Sequence, residues 1–216
     1  MSGAGEQLIR LNEVMAQLRV ECPWDREQTH VSLLTHLIEE ACEVVDAVEE
    51  GTDADLCEEL GDLLLQVYFH ARIAQDEGRF TIDDVARGIA DKLIRRHPHV
   101  FGDGEVPEDL RGVWERRKRQ EKGRTSSLDG IAQAMSSLAR TQKVISRARA
   151  HAVAVDLADE PITAEEVGSR IQALVARAQA SGVDADAAVR AALRTLESHI
   201  TRAEQTGPRR GGQGGR

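Results

Sequence analysis

The residues of this sequence best suited to chemistry are acidic and regularly spaced. Glu40 and Glu43 stand three apart, Glu39 adjoins them, and after fifteen intervening residues Glu59 and Asp62 repeat the three-residue step. In a helix that step keeps two side chains on one face. At about 100° per residue, Glu40 and Glu43 fall at about 300° and about 240° from Leu37, and Glu59 and Asp62 fall at the same angles from Leu56. Packed as an antiparallel hairpin, two such helices bring four carboxylates to one edge. Eleven acids lie between Glu39 and Asp62, and between Arg26 and Arg72 there is no lysine or arginine. Carboxylates that converge without basic partners repel and raise one another's pKa. A divalent cation removes that cost, and an all-oxygen donor set favours Mg2+, Mn2+ or Ca2+ over zinc. The same spacing also arises on the solvated face of two acidic helices.

Opposite charge follows further along. Lys92, Arg95 and Arg96 stand at i, i+3 and i+4, followed by His97 and His99. Guanidinium groups hold phosphate oxygens in pairs, although a basic helix end also suits the C-terminal dipole. Beside a carboxylate metal site, the cluster points to a phosphoanhydride held by metal on one side and guanidinium on the other. His97 and His99 are two apart, a poor spacing for two ligands on one helix, and read as helix-end residues.

The elements that must position these groups read as helices throughout. Leu8, Leu11, Met15 and Leu18 mark a first helix, closed by a loop at Cys22-Pro23-Trp24-Asp25, with Trp24 packing onto the core. Leu34, Leu37, Ile38, Ala41, Val44, Val45 and Val48 form the apolar stripe of a second helix ending near Gly51. Asp53 is the expected N-cap of a third, with Leu56, Leu60, Leu63, Leu64 and Val67 inward. Leu65, Phe69 and Ile73 lie on its other side. A helix apolar nearly all round is buried on more than one side, which predicts a helix-bundle homodimer or higher oligomer. Thr81 caps a fourth helix carrying Val85, Ile89 and Leu93 and stopping at His97-Pro98. A fifth runs from about Pro107 to Lys122, a sixth begins after Ser127, and two alanine-rich helices follow at about 163–180 and 185–203. With no period-2 run, the fold class is all-α.

The motifs together resemble the MazG family of nucleoside triphosphate pyrophosphohydrolases. The resemblance rests on Cys22-Pro23-Trp24-Asp25, on Glu39-Glu40-x-x-Glu43 with Glu59-Leu60-Gly61-Asp62, and on Lys92 to Phe101, and it covers roughly residues 6 to 122. It implies an all-α fold, oligomers, dependence on Mg2+ (with Mn2+ able to substitute), and cleavage of nucleoside triphosphates between the α- and β-phosphates. It also implies Glu40, Glu43, Glu59 and Asp62 as metal ligands and Glu39 as the acid that holds a second ion or orients water. Lys92 and Arg96 become catalytic phosphate contacts, with Arg95 and Trp114 beside the nucleotide. For Trp114, a core position anchoring the fifth helix serves the pattern as well.

Larger members carry two such domains in tandem, and here the second copy is worn. Glu165-Glu166-Val167-Gly168-Ser169 has serine at the third acidic position, Thr195 falls where Lys92 would be, and His199 falls where Arg96 would be. The expected organisation is a catalytic domain over 1–122, a linker helix over 123–157, a metal-free remnant over 158–205, and a disordered Gly/Arg tail over 206–216. All six aromatics lie at or before Trp114, so the first half carries the better core.

Composition bounds the rest. The 216 residues, 41% hydrophobic with a net charge of −9, suit one domain plus an appendage. The charge argues against stable nucleic-acid binding, no run reaches the roughly 18 apolar residues of a membrane span, and nothing at the start resembles an export signal. Three cysteines without a CxxC pair fit a reducing cytoplasm. The expected activity is broad-specificity nucleotide house-cleaning. The alternatives are a non-catalytic nucleotide-binding regulator and a related hydrolase acting on guanosine tetraphosphate or dUTP.

Overall fold

The computed structural model describes residues 4–107 and 109–206. Of the expected tail, Thr206 ends the last helix, and residues 207–216 lie outside the described residues. Among the described residues there are ten helices and no strand. The chain divides into two compact units, 1–105 and 106–216.

The first unit contains α1 (Ala4–Glu21), α2 (Pro23–Glu27), α3 (Leu34–Glu50), α4 (Asp53–Asp76), α5 (Ile82–Arg96) and α6 (Pro98–Phe101). The segment expected as a loop at 22–25 is the start of α2, because Pro23 at the first helical position pre-sets φ and lacks only a donor that would go unused there. Two residues join α3 to α4, so the helices return antiparallel along one another. The cap of α4 is Thr52 and not Asp53. Thr52 Oγ1 accepts from the Asp55 amide at 3.3 Å, and Asp55 Oδ2 accepts from the Thr52 amide at 2.7 Å. This reciprocal box satisfies two orphan donors, where Asp53 would have satisfied one. Thr81 and Asp84 repeat the device at α5. These caps fix where α4 begins, and hence the phase at which Glu59 and Asp62 meet α3.

The core of the unit gathers Met15, Leu33, Tyr68, Phe69 and Ile73, with Leu11, Leu18, Leu64, Leu65 and Ile82 packed against it. It therefore uses the side of α4 expected to be secondary, while Leu60 and Val67 are exposed. The α3 stripe is also turned out: Ile38 is 59% and Val48 65% exposed, and Leu34, Ala41 and Val45 are exposed with them. Val85, Ile89 and Leu93 of α5 are exposed too. The stripes are apolar as read, but the chain's own core does not cover them.

A histidine pair ties the segment before α3 to α4. Arg79 Nη2 donates to His30 Nε2, and since arginine only donates, that nitrogen carries no proton. His30 Nδ1–H then donates to His70 Nδ1 at 2.7 Å, with the two rings stacked at 5.0 Å. Burial, and secondarily His30, pushes the His70 pKa below its ordinary value.

The second unit contains α7 (Leu110–Glu121), α8 (Ser137–Ala150), α9 (Ala164–Ala180) and α10 (Ala185–Thr206), and its core joins α8 and α10 through Ile131, Val144, Ala148, Leu193 and Ile200. The helix expected after Ser127 begins only at Ser137. Residues 125–130 turn instead: the Asp129 carboxylate accepts from the Thr125 and Ser126 amides at 2.8 and 2.9 Å, and Gly130 takes φ +73°. Ser136 then caps α8 through the Ala139 amide.

Two outcomes test this packing. Met15 is fully buried, so Met15→Ala is expected to lower the unfolding free energy by about 2–5 kcal/mol in denaturant titrations followed by circular dichroism. Because the folded His70 pKa lies below the unfolded one, its stabilisation is present above the unfolded pKa and is lost as pH falls toward the folded pKa. The melting temperature should therefore drop from about pH 7.5 to about pH 5.5, and the slope should flatten in His70→Gln.

Candidate active site

The α3–α4 hairpin brings three of the four expected metal ligands together. One carboxylate oxygen each from Glu40, Glu43 and Glu59 lies within 4.8 Å of the others, with Glu40 and Glu59 half-buried and Glu43 exposed. Asp62 is half-buried beside them, outside that spacing, and its charge acts on both Glu40 and Glu59.

The electrostatics are one-sided. Burial raises the Glu40 pKa first, then a hydrogen bond shared with Glu43, then the charges of Asp62, Glu43 and Glu59. Two carboxyls share a hydrogen bond only when one keeps a proton, so that contact too favours the neutral form of Glu40 and raises its pKa. Partial burial also raises Glu59, followed by Glu43, Asp62, Glu58 and Asp55. The charges that most raise these two groups are all carboxylates. Oxygen donors of this number, spacing and charge suit a hard divalent cation.

The remaining expected residues take separate places. Glu39 lies outside the cluster and pairs with His36, Nδ1 to Oε2 at 3.3 Å. Lys92, Arg95 and Arg96 end α5, which packs against α4; Lys92 is half-buried, Arg95 exposed and Arg96 only 7% exposed. His97 Nδ1 meets the Leu93 carbonyl oxygen at 2.7 Å, which fits the helix-end reading. Trp114 is half-buried on α7 in the second unit.

Sequence reasoning passed over two neighbours, His36 and Gln66. His36, Glu40 and Glu43 stand at i, i+4 and i+7 on α3; Glu59, Asp62, Gln66 and Phe69 span about 80° of α4. Gln66 is 4% exposed and its amide oxygen has no hydrogen-bond partner. Trp24, expected to pack onto the core, is 53% exposed and has Phe69 of the core as one ring neighbour, centroids 6.3 Å apart, and His36 as another at 6.0 Å. The available signal was the continuation of each acidic face by one further turn.

Comparison with known proteins gives this geometry a family. A model of the MazG nucleotide pyrophosphohydrolase domain matches residues 28–101. The 26.1 kDa protein of the blaB 3' region of Streptomyces cacaoi is 44% identical over 205 residues, 93% of this chain and 84% of that one. The nucleoside triphosphate pyrophosphohydrolase/pyrophosphatase MazG of Thermotoga maritima is 47% identical over 150 residues, 66% of this chain and 58% of its own length. The nucleoside triphosphate pyrophosphohydrolase of Escherichia coli K12 is 44% identical over 149 residues, 65% and 57% respectively. The chain thus spans just over half the length of these named pyrophosphohydrolases. Its matched segment contains the whole carboxylate hairpin and the basic end of α5, and the chain belongs to the MazG family of nucleotide pyrophosphohydrolases.

Proposed function

We propose that this chain hydrolyses nucleoside triphosphates, ribo- and deoxyribo-, to the monophosphate and pyrophosphate. The observation that carries this reading is the convergence of Glu40, Glu43 and Glu59, in a stretch between Arg26 and Arg72 that contains no lysine or arginine, with other carboxylates as the charges that most raise Glu40 and Glu59. These three, with Asp62, would hold Mg2+, or Mn2+ in its place. Such an ion, when bound, neutralises phosphate charge and makes water a stronger nucleophile.

The chain's own residues do the rest. Lys92 and Arg96, with Arg95, bind the phosphate oxygens and offset the charge that develops on them. Glu39, oriented by His36, takes a proton from the attacking water. The water oxygen bonds to a phosphorus of the α–β bridge, the bridging P–O bond breaks, and pyrophosphate leaves. Trp114 is the proposed further nucleotide contact. Weak base selectivity follows from the carboxylate chemistry of the cluster, which reads phosphates and not bases, and suits a house-cleaning role.

The segment 158–205 is proposed as a metal-free remnant of a second MazG-like domain. Its support is Ser169 at the third acidic position, the Glu166–Arg170 ion pair, and the lack of a second carboxylate grouping among the described residues. A homodimer or higher oligomer is proposed from the outward apolar faces of α3 and α5, since contiguous exposed apolar surface marks interfaces. The net charge of −9 argues against stable nucleic-acid binding. A reducing, cytoplasmic setting is supported by three free cysteines. Among the described residues no helix is long and apolar enough to cross a membrane.

Pyrophosphate release from a panel of triphosphates with Mg2+, dUTP and guanosine tetraphosphate included, tests the activity. Glu43→Ala is expected to lose at least a hundredfold in turnover, and Arg96→Ala to lose activity on every base alike. Full metal-dependent turnover in Glu43→Ala would remove the site assignment. Divalent cation should also raise the melting temperature of wild type and not of Glu43→Ala, a readout independent of catalysis. Light scattering should give at least twice the chain mass.

A further inference from the structure

We propose that His30 and His70 are positioning residues that clasp the open end of the α3–α4 hairpin while both rings are neutral, and release it when the pair takes up a proton. The inference rests on the reading above that the hairpin's carboxylates do the chemistry, and it adds a control on how they are held. One end of the hairpin is pinned by the two-residue connection at 51–52. At the other end, α3 enters from residues 28–33 and α4 runs on past His70. There the two rings stack with centroids 5.0 Å apart and planes 5° apart, Nδ1 to Nδ1 at 2.7 Å. Glu40, Glu43, Glu59 and Asp62 all lie between the two fastenings.

The proton inventory makes the clasp conditional. Arg79 Nη2 fills the lone pair of His30 Nε2, so the one proton of that neutral ring sits on Nδ1 and is donated to His70 Nδ1. The proton of His70 is left on Nε2, which is buried without a hydrogen-bond partner among the described residues. Both lone pairs of the pair are therefore taken, and a further proton sets a donor against a donor. The added charge also meets little to offset it. Residues 28–33 hold no charged side chain besides His30. After α4, Arg79 is itself a cation and is paired with Glu77 at 2.5 Å. On α4, Asp76 is shared between Arg72 and Arg19 of α1, at 2.9 and 3.2 Å. From α5, Asp83 acts on Tyr68, and Asp84 is held by the Thr81 cap and Arg87. The entry to α3 is braced so that a release at His30 reaches the helix. Thr29 and Ser32 exchange amide-to-hydroxyl bonds at 2.9 and 3.1 Å, and Ser32 Oγ donates to Gln28 Oε1 at 2.7 Å. Leu33 lies in the core one residue before α3, whose first two turns carry His36 and Glu39.

The test follows ATP turnover against pH at saturating Mg2+ in full-length wild type, His70→Gln and His70→Leu. Imidazole nitrogen shifts by NMR and Mg2+ affinity by calorimetry accompany it. Glutamine offers His30 a neutral acceptor that does not titrate, and leucine offers none. Wild-type kcat is expected to fall about fivefold from about pH 7.5 to about pH 5.5, with both rings gaining charge along the same curve. The sign follows from a folded His70 pKa held below the unfolded one by burial and by His30: the clasp is complete above that window and lost as pH falls through it. His70→Gln should stay within about twofold of wild type at about pH 7.5 and show a flattened acid limb, whereas His70→Leu should lose about tenfold at every pH. Mg2+ affinity should fall more steeply with acid in wild type than in His70→Gln, which carries the same carboxylates. An identical acid limb in wild type and His70→Gln, rings that stay neutral while kcat falls, or equal losses in the two variants overturn the proposal. Should His70→Gln fail to fold, His30→Gln takes its place. Its amide accepts from Arg79 and donates to His70, so loss of the second ring's charge should raise the midpoint, and an unmoved midpoint overturns the proposal. If no triphosphate is cleaved at any pH yet Mg2+ affinity follows the histidine curve, the hydrolase reading falls while the clasp stands.

Discussion

The repulsion among Glu40, Glu43, Glu59 and Asp62 is the constraint around which the first unit is built. Like charges within a few ångströms on a partly buried face cannot all stay ionised without a counter-charge, and the chain provides none in the acidic stretch between Arg26 and Arg72. The hairpin nevertheless forces them together. A two-residue connection and the Thr52–Asp55 box fix the start of α4. The buried aromatic and aliphatic side of α4 holds it against α1, and the Arg79–His30–His70 chain ties the entry to α3 onto the same helix. Stability is thus drawn from one side of α4 and spent on assembling charge at its edge. Raised pKa values at Glu40 and Glu59 are the local sign of that tension.

How far this was legible in the sequence depended on whether a feature is local. The matched phase of the two acid pairs needs only the helical repeat, and it brought Glu40, Glu43 and Glu59 within 4.8 Å as the spacing implied. The cap of α4 was misread by one residue because Thr52 and Asp53 both suit the position, and only the reciprocal bond with Asp55 decides between them. The stripes of α3 and α5 were read correctly as apolar, while on α4 Leu60 and Val67 were read as inward and are exposed. Periodicity identifies a face without naming what covers it. For α4, apolar nearly all round, the choice between its sides was made by Met15 of α1, far away in sequence and close in space.

Trp24 shows the same limit from the other direction. Pro23-Trp24 suggests a loop folded onto the core, and the ring does meet Phe69. Proline at a helix N-terminus, however, favours a short helix, and a five-residue helix pinned by Arg19 can hold an indole partly in solvent. Its exposure depends on the carbonyl contacts of one arginine, which no pattern of residue types announces.

The two units together distinguish acids that support a fold from acids that serve a site. In the second unit, Glu197 pairs with Arg140 at 2.6 Å. Burial pushes the Glu204 carboxyl up, but hydrogen bonds from Ser126 and Ser127 outweigh it and hold the pKa low. Asp129 is likewise lowered by the backbone amides of Ser126 and Thr125. Each of these carboxylates is complete within the chain. Glu40 and Glu59 are raised, and the charges that most raise them are those of other acids. An acid whose charge is satisfied internally has nothing left to offer a cation, whereas an acid left in deficit is stabilised by one. By that criterion the second unit has a helical core around Val144 and Ile200 without a charge deficit at Glu197, Glu204 or Asp129, because packing and charge deficit are carried by different residues. The first half kept both, and its unmet charge is the strongest physical reason to look for catalysis there.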